Sequence, residues 1–259
     1  MSFWTLFFIS EAVIFALVFL LWLLSLRLKN ASIIDIFWGT GFVIIAWIGF
    51  LLGGTPTLLK TVLLTLVTIW GLRLSIHIYR RNHGKPEDFR YAAWRKQYGK
   101  VWWWYSFFHV FLLQAFLMWV ISTPIVTVMS STTEAGVWLF VPLGGLVWAF
   151  GFLFEALGDW QLEKFKSDPA NKGKLMMSGV WQYTRHPNYF GDAAQWWGYY
   201  MISLATGAWW LIFSPIIMTF LLLRVSGVSM LEKTMSQRPG YEEYARRTSE
   251  FFPWPPKKD

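Results

Sequence analysis

Apolar residues run in blocks of about twenty along most of this chain, with polar residues gathered in a few loops between them; a helix needs about that many to cross the hydrocarbon of a bilayer. The pattern predicts spans at 3–26, 33–52, 57–79, 106–129, 137–157, 188–205 and 207–225. The expected fold is an all-α polytopic membrane protein with seven transmembrane helices, read as a single membrane domain over 1–259. Pro142 and the pair Gly144–Gly145 stand near the start of the fifth span and read as an interruption. The sixth and seventh spans meet so closely at Thr206–Gly207 that they form a hairpin. Residues 158–166 keep helical spacing past the fifth span, as an extension of it or as an interfacial helix. The tail YEEYARRTSEFFPWPP reads as a short amphipathic helix stopped by Pro253, with an interfacial anchor as its simplest role.

Composition supports lipid contact: 55% of the residues are hydrophobic, 20% aromatic and 15% charged, with 19 Trp. A net charge of +8 suggests nucleic acid in a soluble protein. Here the cations sit in loops between apolar blocks, so topology and an anionic ligand explain them better than nucleic acid does. Of the 23 Lys and Arg, 21 fall on one side of the seven-span topology, while Lys60 and the acidic Glu134 lie on the other and Arg73 lies within a span. The positive-inside rule then puts the N-terminus outside, and the C-terminus and long polar loops in the cytoplasm. The chain has no Cys, which excludes disulfides, thiolate metal sites and Cys nucleophiles. Its 4 His lack metal-ligand spacing, so no metal is expected, and no dinucleotide-binding glycine fingerprint or P-loop is present.

The chemistry concentrates where a basic loop enters an apolar helix, in KLMMSGVWQYTRHPNYFGDAAQWWGYYM at 174–201. Lys174, Tyr183, Arg185, His186, Asn188, Tyr189 and Asp192 can all hold an anionic ligand at that helix mouth, and Trp196 lies on the helix they feed. Pro187 pushes His186 out of helical geometry and fixes the helix start, while Gly191 is expected to let a ligand approach the backbone. Lys166 and Lys174 are suited to meet phosphates as point charges, and Asp159 to accept from a ribose or an amide. Polar and ionisable residues inside spans are functional candidates because burying them in hydrocarbon is costly; Glu11, Asp35, Arg73, His77, Gln114, Glu155, Asp192 and Gln195 qualify. Asp35 also reads as a first-turn carboxylate stabilised by the helix dipole. Arg73, His77 and Arg80 form one polar stripe that either pairs with Asp35 and Glu155 or lines a cavity.

With these residues in view, the chain resembles the bacterial branch of the steroid 5-alpha-reductase family. The strings that carry the likeness are DIFWG at 35–39, GLRL at 71–74, NHGKPEDFRY at 82–91, LFEALGDWQLEKFK at 153–166 and SGVWQYTRHPNYFGDAAQWWGYY at 178–200, closed by LEKTM and the tail. The resemblance implies an integral membrane reductase of the bacterial inner membrane. Helices one to four, about 3–129, would form the substrate side, and helices five to seven with their loops, about 137–259, a cytoplasm-facing NADPH side. By matching position it implies cofactor roles for Asp159, Lys166, Lys174, Asn188 and Asp192, and for the basic Arg224 and Arg247. The implied reaction is hydride transfer to the C=C bond of a steroid or other lipid enone while an acid polarises its carbonyl. The family's acid pair is a glutamate in the second helix, matching near Asp35, and a tyrosine in the third, matching near Gly71, where this chain has none. That departure passes the acid role to Asp35, whose carboxyl a membrane cavity would keep protonated, with His77 or Tyr79 in place of the missing tyrosine.

Two rivals remain. Membrane methyltransferases of the isoprenylcysteine carboxyl type also show R-H-P-x-Y-x-G entering a helix, with a later Glu and Y-x-x-Y around S-adenosylmethionine; here these are Glu232 and Tyr241–Tyr244. Asn188, Asp192 and the following Trp-Trp-Gly fit the reductase pattern better. A transporter or lipid-binding protein without chemistry is the other, though no broken-helix pair in repeated halves supports transport.

Overall fold

The computed structural model describes residues 1–132, 139–225 and 227–257. Glu134 and the expected start of the fifth span at 137 lie outside the described residues. The fold is all-helical, and among the described residues it has no strand, only one isolated parallel bridge between Thr184 and Ser249. Among the described residues, six helical segments are long and apolar enough to cross a membrane: Phe3–Leu28, Ile33–Leu52, Leu58–Asn82, Phe89–Ile121, Phe140–Ser167 and Trp209–Met235. The segment expected as the sixth of seven spans forms a 17-residue helix, Pro187–Ser203, which is shorter than these. The chain divides into two compact units, Met1–Val137 with Ala205–Leu211, and Trp138–Leu204 with Ile212–Asp259.

In the first unit, α1 (Phe3–Leu28), α2 (Ile33–Leu52) and α3 (Leu58–Asn82) follow the apolar blocks closely. Helices α2 and α3 cross at Gly39 and Gly71, so close that a side chain at Gly71 would meet the Gly39 carbonyl at 2.6 Å. Thr40 bonds across the same crossing, its backbone N–H donating to Ser75 Oγ at 2.9 Å. Lys60, in the first turn of α3, is buried and donates to the carbonyls of Gly53 and Thr55 at 3.0 and 3.2 Å. It thereby caps the C-terminal end of α2.

The fourth span differs from its predicted bounds of 106–129. Helical structure starts earlier, at α4 (Phe89–Tyr98), and continues through α5 (Trp102–Ser106), a π-helical turn at Phe107–Leu112 and α6 (Leu113–Ile121). It then breaks before α7 (Thr123–Ser130). Pro124 has no N–H for the Val120 carbonyl and its ring clashes with that turn; the Thr123 hydroxyl takes the carbonyl instead, at 3.0 Å. Trp22 and Trp119 tie this segment to α1, donating to the carbonyls of Trp103 and Phe7 at 2.9 and 3.0 Å.

The second unit is built on α8 (Phe140–Ser167) and α9 (Pro187–Ser203). Pro142 does not interrupt α8: it lies in the first turn, where no intrahelical N–H is required, and the helix runs on unbroken through 158–166. Glycines seven residues apart bring the two backbones together, Gly144, Gly151 and Gly158 on α8 against Gly198, Gly191 and Pro187–Asn188 on α9. Gly191 therefore serves helix packing: a Cβ there would lie 2.4 Å from both the Glu155 nitrogen and the Gly151 carbonyl. A tight connection with Gly207 at φ +79° leads to α10 (Phe213–Phe220), whose Thr219 accepts from Trp197 Nε1 of α9 at 3.2 Å. A π-helical turn at Leu221–Val225 follows, then α11 (Val228–Met235) and α12 (Tyr241–Arg247). The tail helix stops at Thr248, not at Pro253. Beyond it the chain is extended and pairs with 183–185, the backbone N–H of Arg185 donating to Ser249 at 2.9 Å and that of Trp254 to Tyr183 at 2.9 Å.

Candidate functional site

Four groups of polar side chains stand out, one in the first unit and three in the second. In the first unit, residues 82–91 fold back over the start of α2. Glu87 accepts from the Ala31 N–H at 2.7 Å and pairs with both arms of Arg95 at 2.8 and 2.9 Å. The Asp88 N–H donates to Ser32 Oγ at 2.8 Å. Burial alone would raise the Asp88 carboxyl, but the hydrogen bonds from Arg90 outweigh it and hold the group below the usual carboxylate range. Asp35, in the first turn of α2, accepts from Arg90 Nη2 at 2.9 Å and from the Tyr91 hydroxyl at 2.7 Å. Gln114 of α6 donates to the same phenol oxygen at 3.3 Å. Tyr91 is buried at 4% exposure and Asp35, Arg90 and Gln114 are half-buried around it, so a carboxylate, a guanidinium, a phenol and an amide form one partly buried network.

His77 and Tyr79, expected as alternative acids, lie on α3; Tyr79 is half exposed and its ring sits 5.1 Å from that of His83. The bonds to Asp35 come from α4 instead. Tyr91 ends the string NHGKPEDFRY, and nothing in its spacing along the chain marks a meeting with Asp35 on another helix.

In the second unit, the first group lies along the α8–α9 contact. Asn188 Nδ2 donates to Asp159 Oδ1 at 3.1 Å, and Gln195 Nε2 to Glu155 Oε2 at 2.6 Å. Asp159, Asp192 and Trp196 are buried with them. The Asn188 amide oxygen is buried with no hydrogen-bond partner among the described residues, an acceptor left available at the mouth of α9.

The second group consists of Arg185, His186, Glu232 and Tyr241. The His186 backbone lies outside helical geometry at φ −139° and ψ 60°, as Pro187 disfavours a helical residue before it, and its side chain is wholly buried. Glu232 of α11 takes two parallel bonds from Arg185 at 3.0 Å each, a third from His186 Nε2 at 2.6 Å and a fourth from the Tyr241 hydroxyl. Arg185 also donates to the Thr248 carbonyl at 2.8 Å, and Tyr244 to that of Trp181 at 2.6 Å. Burial pushes the Tyr244 phenol well above its ordinary range, so it remains a donor. Arg185 and His186, expected to hold a cofactor, thus hold the C-terminal segment. Tyr189 borders the same group, its ring against Gly227. Glu232→Gln is expected to leave the buried Arg185 without its charge partner, at a cost of about 3–5 kcal/mol. Faster trypsin cleavage within 238–257 and a lower unfolding temperature would register it; an unchanged digestion pattern would count against this role.

The third group lines a groove of about 300 Å³ at the end of α8, where Lys166 and Lys174 meet Lys172 and Arg238. Of the remaining expected cofactor residues, Arg224 is exposed on the π-helical turn, and Arg247 is exposed and paired with Glu243 at 3.4 Å.

A family model described as "Protein of unknown function (DUF1295)" matches residues 21–248, and the chain belongs to that family. An uncharacterized protein of Schizosaccharomyces pombe is 25% identical over an alignment covering 90% of this chain and 75% of the relative. No solved structure matches.

Proposed function

We propose that this DUF1295 member is an NADPH-dependent reductase of the C=C bond in a lipid α,β-unsaturated ketone, the activity implied by its likeness to the steroid 5-alpha-reductases. The observation that carries the reading is the 2.7 Å bond between Tyr91 and Asp35. A reductase of this kind needs a carboxyl–phenol pair, and the tyrosine matching the family's position is missing. Gly71 cannot carry a side chain, because the Gly39 carbonyl stands 2.6 Å from where its Cβ would be. Tyr91 brings the phenol to Asp35 from another helix.

In this reading NADPH, when bound, would supply the hydride for the β-carbon. Tyr91 has a single O–H, which Asp35 accepts in the structure. With substrate bound that O–H turns to the substrate carbonyl oxygen and stabilises the negative charge that develops there, and the enolate then takes a proton at its α-carbon from solvent. Gln114 donates to the phenol oxygen and Arg90 holds Asp35 beside it. Asp159 and Asn188 bind polar groups of the nucleotide, with the Asn188 amide oxygen as an acceptor, and Lys166 and Lys174 meet its phosphates. The seventh membrane crossing is the α9 segment. The N-terminus faces outward, and the basic loops and C-terminus face the cytoplasm of a bacterial inner membrane.

A methyltransferase using S-adenosylmethionine is the second reading. Its support is the convergence of the R-H-P string with Glu232 and Tyr241, two parts of one motif distant in sequence and bonded here. Equilibrium binding to the detergent-purified protein separates the two. NADPH binding that Asn188→Ala weakens, followed by enone-dependent loss of reduced-nicotinamide absorbance, is the expected result. Binding of S-adenosylmethionine alone would transfer the assignment to the methyltransferases.

A further inference from the structure

The groove at the end of α8 is assembled by a short, hydrogen-bonded turn. Asp168 Oδ1 accepts from the Ala170 N–H at 2.9 Å, and Asn171 Nδ2 donates to the Phe165 carbonyl at 3.0 Å. The backbone N–H groups of Lys172 and Lys174 close the turn on Pro169 and Asn171 at 3.1 and 3.0 Å. Gly173, at φ +81°, lets the chain reverse between the two lysines. From the connection between α11 and α12, Arg238 reaches the same place and donates through Nη1 to the Lys174 carbonyl at 3.1 Å. Four cations and one carboxylate, Asp168, therefore line a single concavity. Like charges repel, and a folded chain gathers four of them around a groove at a cost that a bound anion offsets.

The size limits what the anion is. A groove of about 300 Å³ lies at the low end for small-molecule sites, enough for one phosphorylated sugar or headgroup rather than a whole dinucleotide. Its position adds a second constraint. It opens at the end of a helix long and apolar enough to cross a membrane, where lipid headgroups would lie.

We infer that Lys172 and Arg238 complete, with Lys166 and Lys174, a subsite for a single phosphate group. The phosphate comes either from the 2′-position of a nucleotide or from an anionic lipid headgroup. The nucleotide source rests on the reductase reading; the lipid source does not.

The test compares Lys172→Gln, Arg238→Gln and the outlying control Lys164→Gln with the parent protein in two arms. One arm measures dissociation constants for NADPH and NADH in detergent. The other measures the rise in unfolding temperature when phosphatidylglycerol, rather than phosphatidylcholine, is added. Loss of about tenfold in NADPH affinity with NADH unchanged, the size of one lost charge-assisted bond, supports the subsite with a nucleotide occupant. Unchanged nucleotide binding with loss of the phosphatidylglycerol effect supports it with a lipid occupant. That same lipid result in a protein that binds no NADPH leaves the subsite standing while the reductase reading falls. No change in either arm, or an equal change in Lys164→Gln, overturns the subsite even where NADPH binds the parent. Unfolding temperatures without ligand show whether each variant is folded.

Discussion

Tyr91→Phe is expected to lower enone-dependent turnover by about 10²–10⁴-fold, the usual worth of a positioned general acid, while leaving the NADPH dissociation constant unchanged. The substitution keeps the ring in its buried place and removes only the hydroxyl that links Asp35 and Gln114. Asp35→Asn is expected to act through the same oxygen more mildly, since an amide still accepts from Tyr91 but loses its ion pair with Arg90. Its effect should fall on kcat rather than KM, because the phenol would be misdirected rather than lost. Stopped-flow oxidation of NADPH under single-turnover conditions reads both. If Tyr91→Phe turns over at the parent rate, the phenol is not the acid and the Asp35–Tyr91 pair is a structural clasp at the head of α2.

Gly191→Ala is the substitution expected to cost the second unit most. Its new methyl carbon would lie 2.4 Å from two backbone atoms of α8, which cannot yield unless the helices part. Overpacking of this kind costs about 1–3 kcal/mol, and contact with backbone on both sides puts this site at the upper end. Thermal unfolding followed by tryptophan fluorescence should show a clear drop, and Gly191→Leu should yield no folded protein. Gly145→Ala, one residue from the zipper position Gly144, is the control. Its Cβ would meet nothing within 4 Å, and alanine favours a helix by about 1 kcal/mol, so stability should hold or rise. Equal losses at both positions would mean that helix crossing distance is not what Gly191 sets.

Much of this architecture was legible along the chain. The bounds of α1, α2 and α3 follow the apolar blocks within a few residues, because a bilayer-length apolar run allows few alternatives once every backbone group needs an internal partner. Pro187 announced the start of α9, since its fixed φ and missing N–H act locally. The fourth segment departs from its predicted bounds at both ends: Arg90, Arg95 and Lys96 leave α4 too polar to belong to an apolar block, and Pro124 breaks the helix inside the apolar run. The tail helix ends before Pro253 for a different reason. Thr248 leaves helical geometry to pair with 183–185, a partner more than sixty residues away.

The sequence by itself determined that the chain is helical, apolar at membrane length, basic in its polar loops, and richest in chemistry between 174 and 201. Local rules suffice there, since hydropathy, proline geometry and charge distribution are properties of short stretches. Only the tertiary structure decided which of those residues meet. It joined Tyr91 to Asp35, committed Arg185 and His186 to Glu232, turned Gly191 from a ligand contact into a helix contact, and gathered Lys172 and Arg238 with Lys166 and Lys174. Each of these depends on side chains from separate helices or turns reaching one point. Spacing along a single element carries no information about such a meeting.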